Sequence, residues 1–191
     1  MKDIDYLFDL LKRSDFSLLG YRFKQERLKD EIISKLPHRV VPEIDSSFSF
    51  KSFLRDLRLE SILETGESIK NPEYLVLDLN EIRFKSDDLG GRQRQIKDII
   101  IKIRGDMYSG PEIPYKLLML TSLYSSGMNS DDTNITNFSG GTSPIYMSDV
   151  TIVMQEESMK IIKNRFGDND IDVSYDKLKD YNYICNYENN N

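Results

Sequence analysis

Glu73-Tyr74-Leu75-Val76-Leu77-Asp78, preceded by Asn71-Pro72, is a nearly unbroken apolar run ending in a carboxylate, and Lys116-Leu117-Leu118-Met119-Leu120-Thr121 repeats the pattern. Short apolar runs without polar alternation read as strands buried on both faces, the kind that make parallel sheets. Between them, Ile96, Ile99, Ile100 and Ile103 lie on one side of a helix over residues 92–104, with Arg92, Arg94, Lys97, Lys102 and Arg104 spread around the rest. Strand, helix and strand in that order predict an α/β fold with a mostly parallel sheet flanked by helices.

Working outward, Ile4, Leu7, Phe8 and Leu11 give a first amphipathic helix. Phe16-Ser17-Leu18-Leu19 is a short strand that Gly20 ends, and residues 21–36 form a helix with Phe23, Leu28, Ile32 and Leu36 as apolar contacts, stopped by Pro37. Val40-Val41 is a brief strand, and Phe50, Phe53, Leu54 and Leu57 space a third helix behind Ser47 or Ser49. On the C-terminal side, residues 122–144 are a long polar loop, of the kind that is functional or mobile in a compact domain. Val150–Met154 and Met159–Lys163, joined by Gln155-Glu156-Glu157-Ser158, read as an antiparallel hairpin. Ile171–Tyr175 and Tyr181–Cys185 extend that edge, and residues 186–191 fray. The whole of 1–191 is expected to be one domain.

Composition narrows the function. Net charge is −6 and hydrophobic residues make up 39%, enough for one core. No apolar run reaches the roughly 20 residues of a membrane span, and the charged start Met1-Lys2-Asp3-Ile4-Asp5 is unlike a signal peptide, so a cytoplasmic chain without a membrane partner is expected. One Cys (Cys185) and one His (His38) exclude an internal disulfide and a Cys/His zinc cluster, and give no credible Ser-His-Asp or Cys-His set. Charge is unevenly spread: residues 83–104 hold seven basic and three acidic residues, whereas 168–191 hold two basic and six acidic. No G-x-x-x-x-G-K-[ST] phosphate loop occurs.

Three features could carry chemistry. Asp78, at the carboxyl end of a buried strand, lies where open α/β sheets bind ligands, though a strand-end cap is the plainer account. Lys163-Asn164-Arg165-Phe166-Gly167 sets two cations before a Gly turn, suited to phosphate, or else an ordinary hairpin end. For the third, the basic helix, a solvated face is the plainer account, and Gly140-Gly141 alone is a weak signal, since paired glycines mark many turns.

In order along the chain, these features resemble the RecA-fold core of DnaB-type replicative hexameric helicases, entered downstream of its P-loop. Phe16-Ser17-Leu18-Leu19 resembles that family's Phe-Ser-Leu-Glu strand, Leu75-Val76-Leu77-Asp78 its Walker B strand, Leu120-Thr121-Ser122-Leu123 its Ser-Gln-Leu strand end. Ser148-Asp149-Val150-Thr151 and Lys163-Asn164-Arg165-Phe166-Gly167 are similar to its Asp-Val-Val strand and Lys-Asn-Arg-x-Gly strand end. Phage RecA-like recombinases share Gly140-Gly141-Thr142 before Tyr146-Met147-Ser148-Asp149. The resemblance implies an ATP-dependent DNA helicase: Asp78 holding Mg through water, Lys163 and Arg165 reaching ATP on a neighbouring subunit, and Arg165 as the arginine finger. It further implies that single-stranded DNA meets Arg92, Arg94, Asn134, Thr136, Asn137, Ser139, Gly140 and Gly141. The chain departs from the pattern in lacking the P-loop, with Leu19 in place of the water-activating Glu and Ser122 in place of a polarising Gln. The expectation is therefore a partial RecA-like domain that does not hydrolyse ATP by itself. It would work with a P-loop-bearing partner or homologous subunits in DNA replication or recombination, or else persist as a degenerate RecA-fold protein with a structural or protein-interaction role.

Overall fold

The computed structural model describes residues 1–37, 39–41, 74–82, 89–108, 116–123, 138 and 141–175. Seven strands form one mixed sheet in the order β2-β3-β4-β1-β5-β6-β7. They are β1 (Phe16–Tyr21), β2 (Arg39–Val40), β3 (Tyr74–Asp78), β4 (Lys116–Ser122), β5 (Val150–Met154), β6 (Ser158–Asn164) and β7 (Ile171–Ser174). The first five run parallel to one another, while β6 and β7 are antiparallel additions at the β5 edge. The α/β class, the mostly parallel sheet and the C-terminal hairpin are thus as the apolar runs predict. The third helix expected near residues 50–57 and the strand expected over Tyr181–Cys185 lie outside the described residues.

Side-chain alternation along each strand sorts the apolar residues into two cores. On one face Leu19, Val76, Leu118, Leu120, Val150 and Ile152 pack against Ile4, Leu7, Phe8 and Leu11 of α1 (Ile4–Arg13) and against Ile32 of α2 (Glu26–Ser34). On the other face Phe16, Leu18, Leu75, Leu77, Leu117 and Met119 pack against Ile96, Ile100 and Ile103 of α3 (Leu89–Tyr108) and Ile145 of α4 (Ser143–Met147). Two helix layers covering a parallel sheet is the arrangement that buries both faces of strands with no polar alternation.

Three expectations change. The strand does not end at Gly20 but runs to Tyr21, and a 3-10 turn (Phe23–Gln25) delays α2 to Glu26. Phe23, expected as a core contact of a helix beginning at residue 21, is instead 88% exposed. The polar stretch expected to run as loop through residue 144 already holds the start of α4, which Pro144 opens from the first turn.

The sheet order sets Phe16-Ser17-Leu18-Leu19 in the middle of the sheet. β1 is the central strand, with β4 parallel on one side and β5 parallel on the other. From β1 the chain leaves for the far edge at β2, returns through β3 and β4, and then crosses to β5. The strand order therefore reverses at β1, and the carboxyl end of β1 is the topological switch point, where open α/β sheets place their ligands. Leu19 sits mid-strand in the α1/α2 core, 1% exposed, where a water-activating carboxylate would have no water to activate.

Candidate functional site

The two-residue period of the strands sets the chemistry at the switch point. Tyr74 and Val76 face α2, so Asp78 at the end of β3 faces it too; by the same count Tyr21 ends β1 and Ser122 ends β4 on that face. Asp78 is buried and every oxygen it offers is engaged. Its Oδ1 accepts the Asn80 backbone N–H at 2.9 Å and the Asn80 side-chain amide at 2.8 Å. Its Oδ2 accepts the Tyr21 hydroxyl at 3.2 Å and lies 3.9 Å from Lys29 Nζ. Asn80 links the remaining members, donating to the Tyr21 hydroxyl at 3.1 Å and accepting from the Ser122 hydroxyl at 2.9 Å and the Ser122 N–H at 3.1 Å.

Lys29 completes the cluster. It is only 7% exposed, and its ammonium stands 4.6 Å from the centre of the Tyr21 ring. Asp30 lies 3.3 Å away on the solvent side. A buried ammonium is tolerated because the Asp78 charge and the ring face replace lost hydration. Residue spacing held the signal for Lys29: Gln25, Lys29, Ile32 and Leu36 recur at helical intervals and all four are buried. A charged residue inside an otherwise inward-facing row is the mark of a paired buried ion.

Burial first, then the neighbouring Asp78 charge, pushes the Tyr21 phenol well above its ordinary value. The folded state therefore keeps a proton that the unfolded chain releases near pH ~10. Below that pH the stabilisation is fully present; as pH rises beyond it, the unfolded state binds fewer protons than the folded one and stability falls. Tyr21→Phe should make denaturation midpoints decline less steeply between about pH 9.5 and 11 than in the parent chain. Identical slopes for the two proteins would refute the coupling of Tyr21 to this cluster.

On the α3 side of the same strand end, Phe138 takes the space. It is 2% exposed and bridges Leu123. A Cβ on Gly20 would stand 2.7 Å from Phe138 Cε1, so glycine is what lets the ring sit on the strand. Between β1 and α2 the connection is the short turn through Phe23–Gln25, braced by Gln25 Oε1 accepting the Arg22 N–H at 2.9 Å.

Lys163 and Arg165 lie at the opposite end of the sheet. Asp149 anchors this end, its N–H donating to Phe16 O at 2.7 Å and its Oδ2 accepting the Phe16 N–H at 3.1 Å. Its Oδ1 accepts Arg165 Nη1 at 3.0 Å, yet the Arg165 side chain remains 71% exposed. Lys163 Nζ donates to three backbone carbonyls, Ser148 at 2.6 Å, Ile145 at 2.8 Å and Tyr146 at 3.1 Å, and so closes the C-terminal turn of α4. Burial lowers the Lys163 pKa, with Asp149 opposing the shift. Asn164 shapes the turn that follows, accepting the Phe166 N–H at 3.0 Å and donating to Asp168 O at 3.1 Å. Together with Arg104, Tyr146 and Asn169 these residues line an open cleft of about 390 Å³.

Six residues of β1 separate the two ends, about 20 Å at strand rise. Asp78 and Arg165 of one chain therefore cannot meet on one phosphate.

Of the residues expected to contact DNA, Arg92 and Arg94 are exposed on the first turns of α3, and Gly141 lies against Gln93 between them. Gly141 adopts φ +74° there, and a Cβ would stand 2.9 Å from the Gln93 side chain. Asn134, Thr136, Asn137, Ser139 and Gly140 lie outside the described residues. Among the described residues no group of three or more His, Cys, Asp or Glu could hold a metal, and no helix is long and apolar enough to cross a membrane. No family model matches the chain, and no curated protein matches it.

Proposed function

We propose that this chain is a RecA-like subunit that does not hydrolyse ATP itself and works in a DNA replication or recombination assembly, contacting single-stranded DNA and offering Arg165 to ATP held by a P-loop-bearing partner. The observation that carries the reading is the saturation of Asp78. A Walker B carboxylate needs open coordination toward magnesium-bound water. Here Lys29 supplies the cation, and Tyr21 and Asn80 supply the donors. Beside it, the connection from the central strand to α2 is the short turn Phe23–Gln25, which has no glycine, and its Lys24 pairs with Glu156.

The position of Arg165 supports a role in trans. A head-to-tail assembly joins two different surfaces of successive subunits, and in the proposed assembly these are the amino end of one sheet and the carboxyl end of the next. Arg165 is exposed at the amino end, aimed by Asp149, which is itself tied to the central strand. ATP and Mg would belong to the neighbour. There Arg165 would stabilise charge building on the transferred phosphoryl group.

The test combines two measurements. Calorimetry of the chain alone with a non-hydrolysable ATP analogue and Mg²⁺ should show no uptake. Mixed with a P-loop-bearing RecA-type subunit from the same source, the chain should support an ATPase rate that Arg165→Ala lowers by about a thousandfold. Hydrolysis by the chain alone, abolished by Asp78→Asn, would overturn the non-hydrolysing reading. A complex that forms but keeps its rate with Arg165→Ala would leave the interaction-only alternative, for which the Arg165–Asp149 pair is then merely a strut.

A further inference from the structure

We infer that a single DNA strand crosses this chain along the outward side of α3, from Arg94 past Lys97 to Arg104, with one base stacked on Tyr146. The inference rests on the DNA partner proposed above and assigns the surface that takes it.

Ile96, Ile100 and Ile103 turn one side of α3 into the core. Arg94, Lys97, Ile101 and Arg104 recur at intervals of three, four and three, which stacks them in one row on the other flank. Arg94, Lys97 and Ile101 are exposed, and Arg104 lies half-buried with its guanidinium 5.3 Å from the Phe16 ring, at the amino end of the sheet. The row spans ten residue steps, about 15 Å. Alongside it runs the segment from Gly141, seated on Gln93 near the start of α3, to Tyr146, which lines the same cleft as Arg104 near its end. The segment and the helix thus lie side by side over that whole distance.

Tyr146 is 76% exposed although α4 buries Ile145 and Pro144 beside it. An aromatic ring left in water at the end of a cationic row is what a sequence-tolerant single-strand site requires. Phosphates track the cations, and an unstacked base finds the ring face. A duplex, whose bases are already stacked, has no use for that ring. Asp98 is the acid on the exposed side; four residues from both Arg94 and Lys102, it offsets part of the charge at the Arg94 end and leaves Lys97 and Arg104 as the stronger cations of the row. The chain is acidic overall at −6, so attraction has to be local, and the row holds three of the seven basic residues of 83–104.

The experiment is fluorescence anisotropy of the full chain with a labelled oligothymidylate across a salt series, for the parent, Arg94→Ala/Lys97→Ala, Tyr146→Ala and Tyr146→Phe. All these side chains are exposed, and circular dichroism verifies that each variant folds. Removing two phosphate contacts should make the plot of log affinity against log salt shallower by about 1.4. Tyr146→Ala should weaken binding roughly tenfold with the slope unchanged, and Tyr146→Phe should restore it, because the ring face is what binds. Tight binding by the parent that none of these substitutions alters would overturn the α3 path while leaving DNA as the partner. A parent chain that binds no oligothymidylate at low salt overturns both.

Discussion

Lys29→Ala lowers the free energy of unfolding by about 3–5 kcal/mol, the range for stripping one member from a buried ion pair. The Asp78 carboxylate keeps its bonds from Asn80 and Tyr21 but loses the ammonium 3.9 Å away, and it has little water to replace it. Asp78→Asn should cost less. Asp30, 3.3 Å from Lys29 and largely exposed, still partners the ammonium, and an amide oxygen still accepts from Asn80. Because the two side chains share one interaction, the double variant Lys29→Ala/Asp78→Asn should fall short of the summed single losses by about 1–3 kcal/mol. Urea denaturation of the four proteins measures all three quantities. A single-variant loss below about 0.5 kcal/mol, the level of an ordinary surface change, would remove Lys29 from any role at Asp78.

Why this cluster was hidden while the strands were plain comes down to range. β1, β3, β4 and the β5–β6 hairpin are contiguous runs whose burial is written in neighbouring residues, and α1 shows its stripe over two turns. Asp78 stands out for the same reason, as a charge closing an apolar run. The partner of Asp78 is nearly fifty residues away in sequence, on a helix whose charged residues read as solvated. Only the parallel register, which aligns Tyr21 with Ser122 and Asp78 with Leu120, brings Lys29 to that carboxylate. The order of strands is equally non-local. A strand in a parallel sheet carries no mark of its neighbours, because crossovers set the pairing, so Phe16–Tyr21 gave no sign of being central. Lys163 shows the opposite case. Its motif is conspicuous, but its ammonium is spent on two carbonyls of α4 and that of its C-cap Ser148, in an element of five residues too short to show a period. Arg165, two residues on, is the member left facing outward.

Phe138→Ala is expected to cost about 3–5 kcal/mol, the range for truncating a buried aromatic, although its flanks are polar. The ring rests where Gly20 has no side chain, beside Leu123, and its carbonyl accepts the Gly141 N–H at 2.9 Å. Gly20→Ala attacks the same contact from the strand. A methyl 2.7 Å from Phe138 Cε1 cannot coexist with the ring in place, and overpacking of this kind costs about 1–3 kcal/mol. If the two groups truly share one space, the double variant should be less destabilised than the sum, because the new methyl fills part of the cavity that the lost ring leaves. Strict additivity would mean that Phe138 and Gly20 do not touch. The pairing also bears on function. Lys29 and Tyr21 occupy the α2 side of the switch point and Phe138 occupies the α3 side, so the chain's own side chains fill both flanks of the place where a nucleotide would enter. Gain of ATP-analogue binding already in Lys29→Ala would place the block at Lys29 alone; gain only in the Lys29→Ala/Phe138→Ala double variant is the outcome expected of two plugs that each suffice to block.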